Sequence, residues 1–240
     1  METLVQKLCV WMKDKVIKAK AKGVVFGLSG GIDSAVVAAL SIRILPQNTL
    51  AIIIPCHSFE ADTNDALDLI NKFNISYKII DLSKVYDSLI YLLDDKEKEG
   101  SFKLAEANIK PRLRMITLYY FANKLNYLVV GTGNKSELTI GYFTKYGDGG
   151  ADILPLGNLL KNQVKELAEY LGIPKKIINK LPSAGLWEGQ TDEEEIGISY
   201  DQLDKYLKTG KIENKIIEKK IQDKITQSAH KRTIPAKPPF

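Results

Sequence analysis

Cysteine is scarce in this 240-residue chain, which holds only Cys9 and Cys56 and no C-x-x-C spacing. That is too few for a disulfide framework and predicts a reducing, cytoplasmic setting. Histidine is as rare, with His57 and His230 alone, and neither belongs to a Ser-His-Asp or Cys-His constellation. No apolar run reaches the roughly 18 residues of a membrane span. The N-terminus, METLVQKLCVWMKDKVIKAKAKG, spreads charge through an amphipathic pattern where a signal peptide would have an apolar region. Secretion and membrane insertion are therefore disfavoured. A large charge excess is missing too: 34 basic against 29 acidic groups leave +5, compatible with an anionic small ligand and weak support for nucleic acid. Two nucleotide fingerprints are absent. No G-x-x-x-x-G-K-[ST] occurs, and no G-x-G-x-x-G follows the first strand; after Gly131-Thr132-Gly133, Ser136 stands in the third glycine's place.

What is present reads as one α/β body with no internal repeat. A chain this long buries roughly 70–75% of its unfolded surface and needs no staples. Residues 1–22 suggest an amphipathic helix with Leu4, Leu8, Trp11 and Val16 on its apolar stripe. Short apolar runs at 23–29, 49–55, 75–81 and 127–131 read as strands, alternating with helices at 32–45, 61–73 and 83–93. That alternation predicts a parallel sheet with right-handed crossovers. The polar stretch 94–101 reads as a mobile surface loop. A long helix is expected from Leu104 to Leu125, with Pro111 able to kink or restart it. A short helix opens in NKSELTIG, 142–152 is a glycine-rich loop, and 158–172 is a helix closed by Gly172 and Pro174. Residues 181–197 show no period and read as a loop, before helices near 199–208 and 211–227 and a proline-rich tail.

The most informative stretch is Ser29-Gly30-Gly31-Ile32-Asp33-Ser34, at the first strand-to-helix junction. Glycines let the backbone approach a ligand, the helix behind them aims free N–H groups at it, and two serines add hydroxyls. Asp33 would repel a phosphate unless a cation lay between them, and Mg²⁺ resolves that conflict. A tight turn needing glycine for geometry alone would explain Gly-Gly, but not both serines and the aspartate.

This loop resembles the pyrophosphate-binding loop of the N-type ATP pyrophosphatases, which split ATP into AMP and pyrophosphate. Further stretches select one member. IKPRLRM (109–115), GTGNKSE (131–137), GYFTKYGDGGADILPL (141–156), NLLKNQV (158–164), LPSAGLWEGQTDEEEIGISY (181–200) and HKR-x-x-P (230–235) resemble the ammonia-dependent NAD synthetase family over nearly the whole chain. The resemblance implies a doubly wound parallel sheet of the adenine nucleotide alpha hydrolase-like (HUP) type, with helices on both faces and a helical C-terminal appendage. It implies a ligase that adenylates the nicotinate carboxylate of deamido-NAD with ATP, after which ammonia displaces AMP and NAD and pyrophosphate leave.

Motif by motif, the resemblance puts the ATP phosphates on Ser29, Gly30, Gly31, Ile32, Asp33 and Ser34, with Asp33 and Glu137 on one or two Mg²⁺. Thr132, Lys161 and Ser183 match further ATP contacts. Arg112, Phe143, Lys145, Asp148, His230 and Lys231 match contacts to deamido-NAD, and Asp148 stands where ammonium would be attracted. Asp33, Asp148 and Lys161 are the expected catalytic groups. The chemistry agrees: bringing a carboxylate to a triphosphate joins two anions, so cations must line the site. A homodimer is implied, with Met115, Leu118, Tyr119 and Phe121 as either interface or core. One domain over 1–240 is expected, its core at about 1–180 and its substrate loop and C-terminal helices at about 181–240. Some 22 residues before the first strand leave no room for a glutaminase domain, so the expected source is free ammonia or a separate partner that supplies it.

Blander readings stand beside these. Lys161 could be a solvated helix lysine, Glu137 a first-turn carboxylate favoured by the helix dipole, and Glu194 and Glu195 a solvated patch. Arg112 and Arg114 cannot share a helix face, so at least one is structural or at an interface. The competing functions are another pyrophosphatase-type enzyme, for tRNA thiolation or GMP-synthetase-like, and a non-catalytic adenine-nucleotide-binding module. Loops 142–152, 183–195 and 228–240 are expected to order around the ligands.

Overall fold

The computed structural model describes residues 1–93, 103–183, 185, 187 and 189–239. The predicted loop at 94–101 lies outside the described residues. Four parallel strands, β1 (Gly23–Gly27), β2 (Thr49–Ile53), β3 (Ser76–Ile79) and β4 (Tyr127–Val129), pair in the order β3-β2-β1-β4. Val24 pairs with Thr49 on one side of β1 and with Leu128 on the other. β1 and β2 are continuous apolar runs because both of their faces are covered.

Helices α1 (Glu2–Lys18), α2 (Ile32–Ile44) and α3 (Glu60–Phe73) pack on one face. α4 (Ser83–Leu93), α5 (Lys103–Ala107) and α6 (Ile109–Leu125) follow, and α4 and α6 cover the other face. Beyond β4 come α7 (Lys135–Ile140), α8 (Lys161–Tyr170), α9 (Lys175–Ile178), α10 (Asp192–Ile196), α11 (Tyr200–Thr209), α12 (Lys215–Gln227) and a 3₁₀ turn at Ala229–Lys231. This is the doubly wound arrangement expected from the sequence. Among the described residues no helix is long and apolar enough to cross a membrane.

Phe26, Leu40, Leu69 and Leu167 are fully buried in the larger core, each stabilising by roughly 1.5–3 kcal/mol relative to exposure. Phe121, Ile52 and Val129 fill the core on the opposite face. A third cluster, Ile140, Ile196, Tyr200, Leu203 and Ile221, ties α10–α12 to α7.

Several local expectations change. In α1 the buried positions are Val5, Met12 and Val16, while Trp11 turns outward with the Lys15 ammonium 5.6 Å from its ring. The stripe is rotated because both sets fit a helical period and only packing on α2 decides between them. The predicted 104–125 helix is two helices broken at Asn108, with Pro111 in the first turn of the second, where its missing N–H costs nothing. Residues 181–197 include the one-turn helix α10, too short to carry a period. Cys9 and Cys56 are free.

Candidate active site

The crossovers leave β1 in opposite directions, so the carboxyl ends of β1 and β4 part and open a crevice. It holds a cavity of about 1120 Å³, walled by the loop after β1, α6, residues 129–150 and the end of α12.

The glycine turn after β1 joins strand to helix with close backbone packing. Gly30 adopts φ +78°, and a Cβ there would lie 2.4 Å from the Asp62 carbonyl oxygen, so only glycine fits. Gly31 N–H donates to Ser29 Oγ at 3.3 Å, and Ser34 Oγ donates to the Gly31 carbonyl at 2.9 Å. The two hydroxyls stand 3.1 Å apart. Behind them the 13-residue α2 presents its free N–H groups and positive end.

Asp33, in the first turn of α2, meets Lys161, the first residue of α8, at 2.6 Å. The same ammonium reaches Glu137 Oε1 at 2.9 Å. Glu137 does two things at once. Its Oε2 accepts the Asn134 N–H at 3.3 Å while Asn134 Oδ1 accepts the Glu137 N–H at 3.1 Å, a capping box that starts α7. The first-turn reading and the site reading of Glu137 are therefore compatible. Asn134 Nδ2 also donates to Asp33 Oδ1 at 2.9 Å, linking the two helix starts. Lys161 is only 2% exposed, so the reading of a solvated lysine is overturned.

A second layer lies behind these groups. Tyr200 Oη is 2.9 Å from Asp192 Oδ2 and 3.3 Å from Glu137 Oε1. Tyr142 Oη is 3.0 Å from Asp192 Oδ1 and 2.9 Å from Glu195 Oε2, which also accepts from Gln190 at 2.6 Å. Glu195 is exposed, as the solvated-patch reading has it, and its carboxylate also joins this network. Burial pushes Glu137 up to about 7; Lys161 opposes this and Asp33 reinforces it. Burial alone would depress Lys161, but Asp33 and Glu137 outweigh it and hold the ammonium charged. Burial also raises Asp192 and both phenols.

Asp33 and Glu137 thus share the Lys161 ammonium, and Asp192, bonded to the two phenols, also feels its charge. Burying such an excess of negative charge is costly without a further cation. The donors are oxygens, the set a hard dication prefers, so Asp33 and Glu137 fit Mg²⁺. Among the described residues no three-side-chain metal cluster exists, so phosphate oxygens and water would complete the coordination.

Farther along the cavity, Asp148 Oδ1 accepts the Thr144 N–H at 2.9 Å. Surrounding protein raises the Asp148 pKa, against the pull of Thr144, Arg114 and Lys231. Lys231 donates to the carbonyls of Gly141 and Phe143 at 2.8 and 2.9 Å and lies 5.5 Å from the Phe143 ring. Gly141, at φ +70°, allows the Ser228 side chain to pack where a Cβ would stand. Thr132 and Ser183 also line the cavity.

Arg112, Lys145 and His230 sit together but outside the cavity lining of the single chain. Arg112 Nε donates to the Lys145 carbonyl at 3.4 Å, and Lys145 Nζ to the His230 carbonyl at 2.7 Å. Arg114 turns inward instead, donating to the Ile54 carbonyl at 3.1 Å and to Ser58 Oγ at 3.2 Å. Sequence reasoning left Arg114, Asn134, Tyr142 and Tyr200 out of the site. Only Asn134 carried a local signal, the N-x-x-E spacing of a capping box before a helix.

The NAD synthase family model matches residues 4–235. The chain is 51% identical over 239 residues to the NH(3)-dependent NAD(+) synthetase of Carboxydothermus hydrogenoformans, covering 99% of this chain and 97% of that protein. It is 49% identical over 236 residues to the enzyme of the same name from Syntrophomonas wolfei, covering 98% and 94%. Among solved structures, NMN synthetase from Francisella tularensis superposes with a TM-score of 0.93 at 42% identity, covering 100% of this chain and 98% of that one. With the match running from α1 to the C-terminal tail, this chain belongs to the NAD synthase family.

Proposed function

We propose that this chain amidates deamido-NAD with ammonia, using ATP to adenylate the nicotinate carboxylate and releasing NAD, AMP and pyrophosphate. The carrying observation is Lys161, clasped by Asp33 and Glu137 at the N-terminus of α2. A dipole, two hydroxyls and a fixed ammonium converge there on the position of a triphosphate. Mg²⁺ held by Asp33 and Glu137, as one ion or two, would neutralise charge on the phosphates. Lys161 stays protonated to face the same charge, and Thr132 and Ser183 border the nucleotide. Phe143 offers a ring face to the nicotinate, and Asp148 draws ammonium to the carbon under attack. Lys231, in the cavity wall, holds the remainder of the dinucleotide, with Arg112, Lys145 and His230 beyond the lining for whatever part of it extends past the cavity. Positioning and charge neutralisation carry this chemistry, so no protein nucleophile is needed.

The whole chain acts as one catalytic unit in the cytoplasm, a reading supported by its two unpaired cysteines. It pairs with a second copy. The residues first assigned to either interface or core turn inward, since Met115 and Leu118 line the cavity and Phe121 is buried. The outward apolar groups are Ile116 and Tyr120 on α6 and Leu92 and Leu93 on α4, all more than half exposed.

The test is pyrophosphate release from ATP, dependent on both deamido-NAD and ammonium chloride. Equal turnover with glutamine in place of ammonium would reject free ammonia as the donor. The likeness to NMN synthetase supports a second substrate, nicotinic acid mononucleotide, which carries the same carboxylate. Comparing kcat/KM for the two acids decides between them.

A further inference from the structure

Tyr200 is buried, and its hydroxyl does not border the cavity. Yet it touches more of the charged cluster than any group that does. Its ring lies under the Lys161 ammonium, 5.0 Å from nitrogen to centroid. Its hydroxyl stands between Asp192 and Glu137, at 2.9 and 3.3 Å. The hydroxyl has one proton for two carboxylates, and the shorter contact assigns it to Asp192. Asp192 then accepts from Tyr200 on one oxygen, while its other oxygen lies 3.0 Å from the Tyr142 hydroxyl, whose proton the same rule gives to Glu195 at 2.9 Å. That leaves Glu137 Oε1 to accept from Lys161 at 2.9 Å, with the phenol oxygen beside it at 3.3 Å.

The backbone holds Tyr200 as firmly as its side chain does. It opens α11 behind a Ser199–Gln202 capping box, and its N–H donates to Glu193 at 2.8 Å. Asp192 and Glu193 open α10, directly after the substrate-loop segment, whose Gln190 joins through Glu195. One side chain thus connects the ammonium–carboxylate cluster to the root of that loop.

We infer that Tyr200 is a positioning residue for the adenylation step. Its ring face and hydroxyl hold Lys161 and Glu137 in the geometry that receives the ATP phosphates, and its bond to Asp192 links that geometry to the substrate loop. The inference rests on the amidation reading, so wild-type pyrophosphate release that depends on deamido-NAD must be shown first. Its absence would sink that reading and leave the role of Tyr200 to the binding assay below.

The experiment compares wild type with Tyr200→Phe, Tyr200→Leu and Asp192→Asn in two assays: steady-state kinetics well below the melting point, and the thermal upshift given by MgATP alone. Tyr200→Phe keeps the ring and loses the hydroxyl. It should cut kcat by about tenfold, leave KM for deamido-NAD within about twofold, and reduce the MgATP upshift. Tyr200→Leu also loses the ring face and should cut kcat by about a hundredfold. Should either Tyr200 variant fail to fold, Asp192→Asn answers in its place, with the same loss in kcat and in the upshift. A purely structural brace would lower the melting temperature of all three while leaving kcat and the MgATP upshift at wild-type values, and that result overturns the inference.

Discussion

Replacing Lys161 by Met removes the one ammonium that compensates this buried cluster. Lys161 is 2% exposed and contacts Asp33 and Glu137 at 2.6 and 2.9 Å. Methionine fills most of the same volume, so the change is chiefly one of charge. Removing one partner of a buried ion pair costs about 3–5 kcal/mol. In a domain of this size each 1 kcal/mol shifts the melting point by roughly 2–4 °C, so a fall of about 6–20 °C is expected at pH 8. The loss should depend on pH in a definite sense. Burial already raises Glu137 to about 7, and without Lys161 it rises further. A carboxyl whose folded pKa exceeds its unfolded value contributes stability at low pH that is lost as pH rises through the folded pKa. The variant should therefore lie closer to wild type at pH 5 than at pH 8. Adding Asp33→Asn removes one orphaned carboxylate and should recover part of the loss, a coupling that a double-mutant cycle in urea reads directly. If Lys161→Met unfolds within about 1 kcal/mol of wild type at pH 8, the cluster is not held by this charge.

Gly30→Ala places a Cβ 2.4 Å from the Asp62 carbonyl at φ +78°; it should cost at least about 1–2 kcal/mol and abolish the stabilisation seen on titrating MgATP. Asp148→Asn should raise the KM for ammonium by roughly tenfold or more in the kinetic assay; an unchanged KM removes Asp148 from the ammonium site. The pairing proposed through the exposed face of α6 predicts a dimer for wild type in light scattering and a monomer for Tyr120→Asp, with the fold intact by circular dichroism; a wild-type monomer rejects the pairing.

The sheet was legible because parallel strands covered on both faces are unbroken apolar runs, and GVVFG and TLAII announce themselves. The turn between β1 and α2 was legible because glycine, serine and aspartate have separate physical reasons to stand at a helix start. The stripe of α1 was not, since a helix can be apolar over more than half its turn and only α2 decides which residues are covered. Tyr142 and Tyr200 were invisible for a different reason. Each is an ordinary half-apolar side chain in its own segment, and each matters only through a residue far along the chain, Asp192 for Tyr142 and Glu137 for Tyr200. Arg112 and Arg114 were recognised as unable to share a face, but which one enters the cavity depends on the roll of α6.

The helices after residue 197 read as an appendage, yet α11 closes the site from behind. Asp204, 1% exposed, accepts the Asn162 N–H at 2.9 Å and the Ser136 hydroxyl, which in turn accepts the Lys161 N–H at 3.0 Å. The residue preceding α8, Leu160, offers no side-chain oxygen to cap it, so a carboxylate from another helix takes over that work at the positive end of α8. Asp204→Ala would leave two buried donors unpaired and free the residue that carries the ammonium. The stability cost should be about 2–4 kcal/mol, with a fall in kcat measured well below the melting point. Ser199→Ala gives the comparison, because it removes the cap of α11 itself, should cost about 1 kcal/mol, and leaves α8 in place. If both variants lose stability and both keep the wild-type kcat, α11 only braces the fold. If Asp204→Ala alone loses turnover, the start of α8 is set by α11, and the C-terminal helices belong to the catalytic body.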